Sequence, residues 1–171
     1  MSLKIVSLIL SAFTLHGCFT QPIIPLSTVS EVSLPRYLGT WYEIARYENR
    51  FEKGCVGASA TYAMEEDFIR VTNRCYDAAG TKTGEAYGKA YSVENSGNSK
   101  LRVSFFWPFY GDYWIVKLAP DYRYAVVGEP SRKYLWILAR EKTLSDRDKK
   151  EILDALPTMG YDDSMLYWTK N

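Results

Sequence analysis

Residues that could carry covalent or acid–base chemistry are few in this chain of 171 residues. The only histidine, His16, lies in an apolar leader, so a chain that has lost the leader can build neither a histidine-assisted nucleophile nor a histidine-ligated metal site. Glu43 is the one carboxylate singled out, because it shares a strand face with Trp41 and could bind a ligand head group or an inner tyrosine. We expect a structural role for it. The sequence therefore predicts no catalytic residue, no metal site, no cofactor and no enzymatic activity.

Residues 1–17 are predicted to be a lipoprotein signal peptide. The apolar run 5–15 is only about eleven residues long, well short of the ~20 that span a bilayer as a helix. It leads into the tetrapeptide LHGC (residues 15–18), which resembles the lipobox of bacterial lipoproteins, although His16 departs from the small or modestly apolar residue usual at that position. Cleavage there leaves Cys18 as a lipidated N-terminus. The alternative is an ordinary signal peptide that is cleaved elsewhere.

The stretch 18–33 is predicted to be a flexible tether, because it combines prolines with serines and threonines and shows no sustained periodicity. A protein lipidated at Cys18 is anchored to a membrane that it does not span. Phe19 stands where aspartate retains lipoproteins in the inner membrane of enteric bacteria. We therefore expect a lipid-anchored protein of the cell outer membrane whose domain, residues 34–171, faces the periplasm.

Short strands separated by turn residues dominate the rest of the chain and predict an all-β barrel or sandwich. After them, Ser145 can cap a helix that Pro157 ends, and a short final strand follows. The net charge is +1 with both signs scattered, so no nucleic-acid partner is expected. The eight strand candidates span residues 39–47, 56–64, 68–76, 83–92, 100–106, 113–119, 122–128 and 134–140.

Three short motifs, in order along the chain, resemble the signature regions of the lipocalin family. They are Gly39-x-Trp41 at the start of the first strand, Asp121-Tyr122 in the turn before the seventh and Arg140 at the end of the eighth. The resemblance implies an eight-stranded antiparallel up-and-down barrel with one C-terminal α-helix and a short final strand. It also implies structural roles: Trp41 closes one end, Gly39 lets the preceding turn pass close by, and Arg140 covers the indole. The stretches GTWYEIAR, VSFFWPFYGDYW and YLWILAR are similar to those of bacterial outer-membrane lipoprotein lipocalins, in the apolipoprotein D-like branch.

Strand periodicity predicts which side chains line such a barrel. On the eighth strand, Trp136 and Tyr134 share a face with Arg140. On the sixth, a solvated Lys117 implies that Trp114, Val116 and Leu118 point inward. For each aromatic the alternative is a filled core. The predicted ligand-binding residues are Tyr62, Phe105, Trp114, Val116, Tyr134 and Trp136.

Cys55 and Cys75 flank the second hairpin and should fall almost opposite one another at the open end of the barrel. Because a secreted protein lies in an oxidising compartment, we predict a disulfide between them, and two free thiols are the alternative. This pairing would place Ile69 beside Thr61 and Val71 beside Ser59, which conflicts with an inward Tyr62 on the second strand. A bulge, or a wrong face for that strand, would resolve the conflict.

The stretch 106–112 joins the fifth and sixth strands and is predicted to ring the open end with exposed apolar surface. Contact with a lipid tail, a membrane surface or a second subunit is the functional interpretation, and core packing is the alternative. The aromatic residues concerned are Phe106, Trp107, Phe109 and Tyr110.

The function predicted from the sequence is that of a membrane-anchored binding protein that stores or transports lipids in the bacterial cell envelope. Its expected partners are a fatty acid or lysophospholipid ligand and the membrane reached through the lipidated N-terminus, and a homodimer is left open. The alternative is a carrier of a cyclic hydrophobe, such as a retinoid, haem or sterol, or an enzyme of the same fold.

Overall fold

The computed structural model describes residues 25–170, so the predictions for the leader and for Cys18 lie outside it. This part of the chain contains the helices α1 (Leu34–Tyr37) and α2 (Asp146–Ala155), with single 3₁₀ turns at Arg50–Glu52, Pro157–Met159 and Asp163–Met165. The strands are β1 (Gly39–Tyr47), β2 (Gly57–Met64), β3 (Ile69–Tyr76), β4 (Lys82–Ser92), β5 (Lys100–Phe106), β6 (Phe109–Leu118), β7 (Tyr124–Gly128), β8 (Leu135–Ala139) and β9 (Leu166–Trp168).

The first eight strands form a closed antiparallel barrel. Strands β2 to β8 pair in sequence order, and β1 pairs with both β8 and β2, which completes the ring. Strand β9 pairs with residues 45–47 of β1 and lies outside the ring. The predicted fold class, an eight-stranded antiparallel barrel with one C-terminal helix and a short final strand, is confirmed.

Strands β7 and β8 are apolar on both faces because both faces are covered. Val127 and Leu138 point into the barrel and belong to its inner cluster of buried side chains. Val126 and Ile137 point outward and pack beneath α2 against Ile152. The helix therefore covers one outer face of the barrel and leaves the interior to the strands.

A bulge in β6 reverses the inward face predicted for that strand. The pairing register shifts between Ile115 and Lys117, so the alternation of side chains changes by one residue. Tyr113 and Ile115 consequently face the interior, whereas Trp114 and Val116 pack with the cluster beneath α2. The predicted inward placement of Trp114 and Val116 is therefore wrong.

Residues 26–32, which were assigned to the flexible tether, pack against the barrel. The backbone N–H of Val29 donates to the Ile115 carbonyl oxygen at 3.0 Å, and that of Val32 donates to the Gly97 carbonyl oxygen at 2.7 Å. The Val32 side chain is buried. The domain thus begins several residues earlier than predicted, and the tether prediction is wrong for this segment.

No helix within residues 25–170 is long and apolar enough to cross a membrane.

Trp41 fills the end of the barrel at which β1 begins. Its indole is fully buried, its Nε1–H donates to the Tyr37 carbonyl oxygen at 2.8 Å, and the Arg140 guanidinium carbon lies 3.9 Å from its ring centre. Gly39 has a φ of +94°, which lets the chain turn from α1 into β1. These contacts agree with the structural roles that the resemblance implied for Gly39, Trp41 and Arg140.

The turn before β7 holds the N-terminal segment against this closed end. The Tyr122 hydroxyl accepts a hydrogen bond from the Ser33 N–H at 2.8 Å, and Arg36 stacks over the Tyr122 ring at 4.0 Å. Asp121 binds the Arg123 guanidinium at 2.8 Å. Tyr122 therefore holds the N-terminal segment at the closed end, whereas Asp121 binds within its own turn.

Candidate functional site

Three tyrosines, joined hydroxyl to hydroxyl, lie in the half of the barrel next to the closed end. The Tyr113 hydroxyl oxygen is 2.7 Å from that of Tyr37 and 2.9 Å from that of Tyr62. Burial raises the pKa of Tyr62 to about 12, and it also raises the pKa values of the other two, so all three phenols stay neutral. Leu101 and Trp41 fill the space around them. This half of the barrel is a packed floor.

A charged cluster lies inside the barrel nearer its open end. A bulge after Glu43 turns both Glu43 and Arg46 inward, and Arg46 Nη1 donates to Glu43 Oε1 at 2.5 Å. Arg46 Nη2 also donates to the Cys55 carbonyl oxygen at 3.1 Å. Glu52, from the loop above, accepts a hydrogen bond from Trp136 Nε1 at 3.0 Å. The cluster thus fastens the loop between β1 and β2 to the inner wall.

The two carboxyl groups of this cluster compete for one guanidinium. Burial raises the pKa of Glu43 from 4.5 to about 8, the Glu52 carboxylate adds to the rise, and Arg46 opposes it. Near neutral pH the pair therefore retains a proton. A recess of about 200 Å³ remains beside Arg46, between the loop and Tyr167 of β9.

The predicted disulfide is confirmed and ties the same loop to β3. Cys55 and Cys75 are joined, with their Cα atoms 5.2 Å apart. In the sheet, however, Cys75 pairs with Ala58, because Cys55 precedes β2. This removes the conflict seen in the sequence, since Tyr62 pairs with Val71 and both side chains face the interior.

Small and apolar residues of β3, β4 and β5 line the interior above the packed floor. Ala86 is exposed although it lies on the same strand face as the buried Ala90. The Phe105 ring lies across Gly88, where an added Cβ would come within 2.9 Å of it, and 45% of Phe105 is exposed. An apolar trough therefore leads from the open end into the barrel along these strands. We call this inner surface the trough.

Asn73 places an amide in the trough, and the sequence did not single it out. It pairs with Ala60 on one side and with Ala86 on the other, on the inward face of β3. Its side-chain Oδ1 atom is buried and has no hydrogen-bond partner within residues 25–170. A bound molecule that carries a donor group could supply the missing partner.

Four of the predicted ligand-binding residues face the interior. Tyr62 and Trp136 belong to the inner cluster, and Phe105 lies over the trough. The Tyr134 ring stacks on that of Trp136, with ring centres 5.8 Å apart. Ligand contact by these four stays a prediction.

Three inward residues that shape the site were missed. Tyr113 lies before the bulge in β6 and Arg46 lies after the bulge in β1, and these bulges shift the side-chain alternation without a clear mark in the sequence. Asn73 could have been found, because it alternates with Val71 and the inward face of β3 follows from that of β2.

The predicted ring of aromatics at the open end is exposed, so core packing is not its role. The exposed fractions are 76% for Phe106, 79% for Trp107, 70% for Phe109 and 38% for Tyr110. Tyr110 also lies beneath Arg102, whose guanidinium carbon is 4.9 Å from its ring centre.

The fold and this interior define a class of protein. Within residues 25–170, no group of three or more His, Cys, Asp or Glu side chains is arranged to hold a metal ion. A barrel that is filled at one end and lined by an apolar trough at the other is typical of proteins that bind a small hydrophobic ligand inside eight strands.

Comparison with known proteins identifies the family. A family model described as a lipocalin-like domain matches residues 32–171, and the chain belongs to the lipocalin family. The outer membrane lipoprotein Blc of Citrobacter freundii is 39% identical over 171 residues, covering 98% of this chain and 96% of the relative. Blc of Vibrio cholerae is 36% identical over 170 residues, covering 98% and 99%. The shared name of these relatives confirms the predicted outer-membrane localisation, and lipid attachment at Cys18 stays a prediction.

Solved structures agree on the fold. Insecticyanin from the tobacco hornworm Manduca sexta superimposes with a TM-score of 0.69 at 21% identity, covering 85% of this chain and 84% of that protein. At this identity the likeness supports the barrel architecture alone.

Proposed function

We propose that this protein is a lipid-anchored protein of the bacterial outer membrane that binds fatty acids or lysophospholipids in its barrel, and so stores or transports them in the cell envelope. The observation that carries the proposal is the trough, an apolar inner surface that solvent reaches from the open end. The anchoring part rests on the LHGC motif at residues 15–18 and on the relatives named outer membrane lipoprotein.

The shape of the interior favours a narrow, flexible ligand. The packed floor of tyrosines and Trp41 occupies the closed half, so the space lies along β3 to β5 near the open end. The small side chains of Ala86 and Ala60 leave room on that wall. An acyl chain can bend to follow such a trough, whereas a rigid ring system needs a wide cavity.

One polar group of the trough, the side-chain amide of Asn73, favours a ligand with a hydroxyl donor. Arg46 Nη1 donates to Glu43, and Arg46 Nε, which is buried and has no hydrogen-bond partner within residues 25–170, lies 3.8 Å from Glu52 Oε2. Asn73 Oδ1 is a buried acceptor without a partner in the described chain. A lysophospholipid can donate its free glycerol hydroxyl to this oxygen, whereas an ionised fatty acid carries no donor.

Native mass spectrometry of the full chain purified from bacterial membranes tests this function. We expect a co-purifying acyl lipid. A retinoid, haem or sterol adduct would contradict the proposal and support the carrier of a cyclic hydrophobe, and turnover of the bound lipid would indicate an enzyme. Mass analysis of the N-terminal peptide, with Cys18→Ser as the control, tests the lipid attachment separately.

A pair of variants on β4 tests whether the trough is the site. Ala86→Trp should weaken binding of palmitic acid by about tenfold, because the indole displaces at least two methylene contacts of about 0.8 kcal/mol each. Tyr87→Trp adds an indole at the neighbouring, outward-facing position, where the side chain is 64% exposed, and should leave binding unchanged. Equal affinities in the two variants would contradict a ligand in the trough.

A second substitution tests the head-group preference. Asn73→Leu keeps the size of the side chain and removes the amide. It should weaken binding of palmitoyl lysophosphatidylethanolamine by about fivefold to tenfold, the value of one net hydrogen bond, and leave palmitic acid unaffected. Calorimetric titration measures both affinities. An equal effect on the two ligands would contradict a hydrogen bond to the head group.

A further inference from the structure

The hairpin between β5 and β6 exposes a cluster of aromatic side chains that no part of the described chain covers. Phe106, Trp107 and Phe109 are each at least 70% exposed. The Phe106 and Phe109 rings stack on each other with centres 6.4 Å apart, and so present one continuous apolar face. We call residues 106–109 the aromatic tip.

A second aromatic and several cations share the open end with the aromatic tip. Phe51, in the loop after β1, is 66% exposed. Arg50 lies over its ring at 5.1 Å, Lys53 is exposed two residues further on, and Lys133 is exposed in the loop between β7 and β8. The open end therefore combines protruding aromatic rings with positive charge.

Three acidic side chains at this end already accept hydrogen bonds from the protein, whereas Glu48 and Asp112 are exposed. Asp77 accepts hydrogen bonds from the backbone N–H groups of Ala79 and Thr81, both at 2.9 Å. Glu129 accepts from the backbone of Ser131 at 2.7 Å, and Glu52 is held by Trp136. Arg50, Lys53 and Lys133 are exposed, so they can meet an external anion.

We propose that the aromatic tip inserts into the surface of an anionic phospholipid bilayer. Trp, Tyr and Phe side chains partition to the level of the lipid head groups, and flanking Lys and Arg side chains are attracted to anionic lipids. A second copy of the chain would bring the same cations, Arg50, Lys53 and Lys133, towards one another. Charge complementarity therefore favours the membrane over a homodimer through this face.

The length of the N-terminal segment allows the lipid anchor and the aromatic tip to meet the same bilayer. Val29 is bound to Ile115, and Ile115 lies six residues, or ~20 Å of strand, from Phe109 at the tip. Between Cys18 and Pro25 the chain can span at most ~25 Å. An acyl group on Cys18 can thus lie at the depth that the tip reaches.

This orientation places the open end of the barrel on the membrane. Phe105 continues the apolar surface from the aromatic tip onto the inner wall, where its ring lies over Gly88. A lipid that leaves the bilayer beside the tip meets the trough without crossing water. Insertion of the tip is independent of which lipid the trough binds.

Fluorescence quenching by brominated lipids tests the proposal on the full lipidated chain, reconstituted in vesicles of phosphatidylethanolamine and phosphatidylglycerol. We expect the brominated acyl chains to quench part of the tryptophan emission. The quenched emission should lie mainly at the blue edge of the spectrum. Trp107→Phe should remove the quenched component, whereas Trp168→Phe, on β9, should leave it. Quenching that persists in Trp107→Phe, or is absent from the unsubstituted protein, would overturn the proposal.

Two further measurements separate the membrane from other partners. The triple variant Arg50→Gln, Lys53→Gln, Lys133→Gln should reduce quenching in anionic vesicles and leave it unchanged in vesicles of phosphatidylcholine. Cross-linking of the reconstituted protein between cysteines introduced at Phe106 should give no dimer. A dimer joined at this position would overturn the proposal. Palmitic acid affinity, measured in parallel, should be the same in all variants, so failure of insertion and failure of lipid binding are distinguishable.

Discussion

Replacing Arg140 by methionine should destabilise the barrel by about 3 kcal/mol. The guanidinium lies 3.9 Å from the Trp41 ring centre, and such a partly desolvated contact contributes about 1–2 kcal/mol. Arg140 Nη1 donates to the Thr40 carbonyl oxygen at 2.9 Å, and Nη2 donates to that of Arg36 at 2.6 Å. Each of these bonds contributes about 1 kcal/mol net, because the site is half exposed and water replaces part of the loss. Methionine keeps most of the apolar stem, so packing should change little.

Urea unfolding at neutral pH measures this loss of free energy. In thermal unfolding the Tm should fall by about 6–12 °C. Arg70→Met is the matched control, because Arg70 forms an exposed ion pair with Glu65 at 3.1 Å, and it should cost less than about 1 kcal/mol. A double-mutant cycle with Trp41→Leu should give a coupling energy of about 1–2 kcal/mol. A coupling near zero, or a loss from Arg140→Met no larger than that of the control, would refute the closed-end contact.

Three other perturbations have expected outcomes. Reducing the Cys55–Cys75 disulfide, which closes a loop over 20 residues of sequence separation, should lower the free energy of unfolding by roughly 3 kcal/mol, measured with and without dithiothreitol. The native state holds the Glu43 proton to about pH 8 and the unfolded chain only to about pH 4.5, so stability should fall as the pH rises between these values, and Glu43→Gln should flatten the slope measured by urea unfolding. Tyr113→Phe removes the hydroxyl between two buried phenols and should cost about 1–2 kcal/mol in the same assay, with Tyr87→Phe on the surface nearly neutral. Unchanged stability in any of these would contradict the corresponding contact.

The architecture was predictable because the signals that specify it are local. Strand β1 and strand β5 have the bounds expected from the sequence, since turn residues and alternation coincide at both ends. The single C-terminal helix followed from its cap at Ser145 and its end at Pro157. The roles of Trp41 and Arg140 at the closed end came from the resemblance to the lipocalin family.

The interior was less predictable because it depends on register. One bulge in β6 exchanged the inward and outward faces, so Trp114 and Val116 were assigned to the site in place of Tyr113 and Ile115. A second bulge, after Glu43, brought Arg46 inside. A bulge adds one residue to one strand, and nothing in residue type announces it at either position.

The N-terminal segment was misassigned for a different reason. Prolines, serines and threonines in residues 18–33 indicate a flexible chain, but Val29 and Val32 find partners in the barrel. The backbone groups that they pair with belong to Ile115 and Gly97, more than sixty residues away in sequence. Composition carries no information about such distant partners.

Paramagnetic broadening of valine methyl resonances by a doxyl-labelled stearate tests most directly whether a lipid lies inside the barrel. We expect the inward methyl groups of Val71, Val103 and Val127 to broaden more strongly than those of the outward Val116 and Val126 beneath α2. Broadening that misses the inward valines, or that affects the outward ones equally, would contradict lipid binding in the trough.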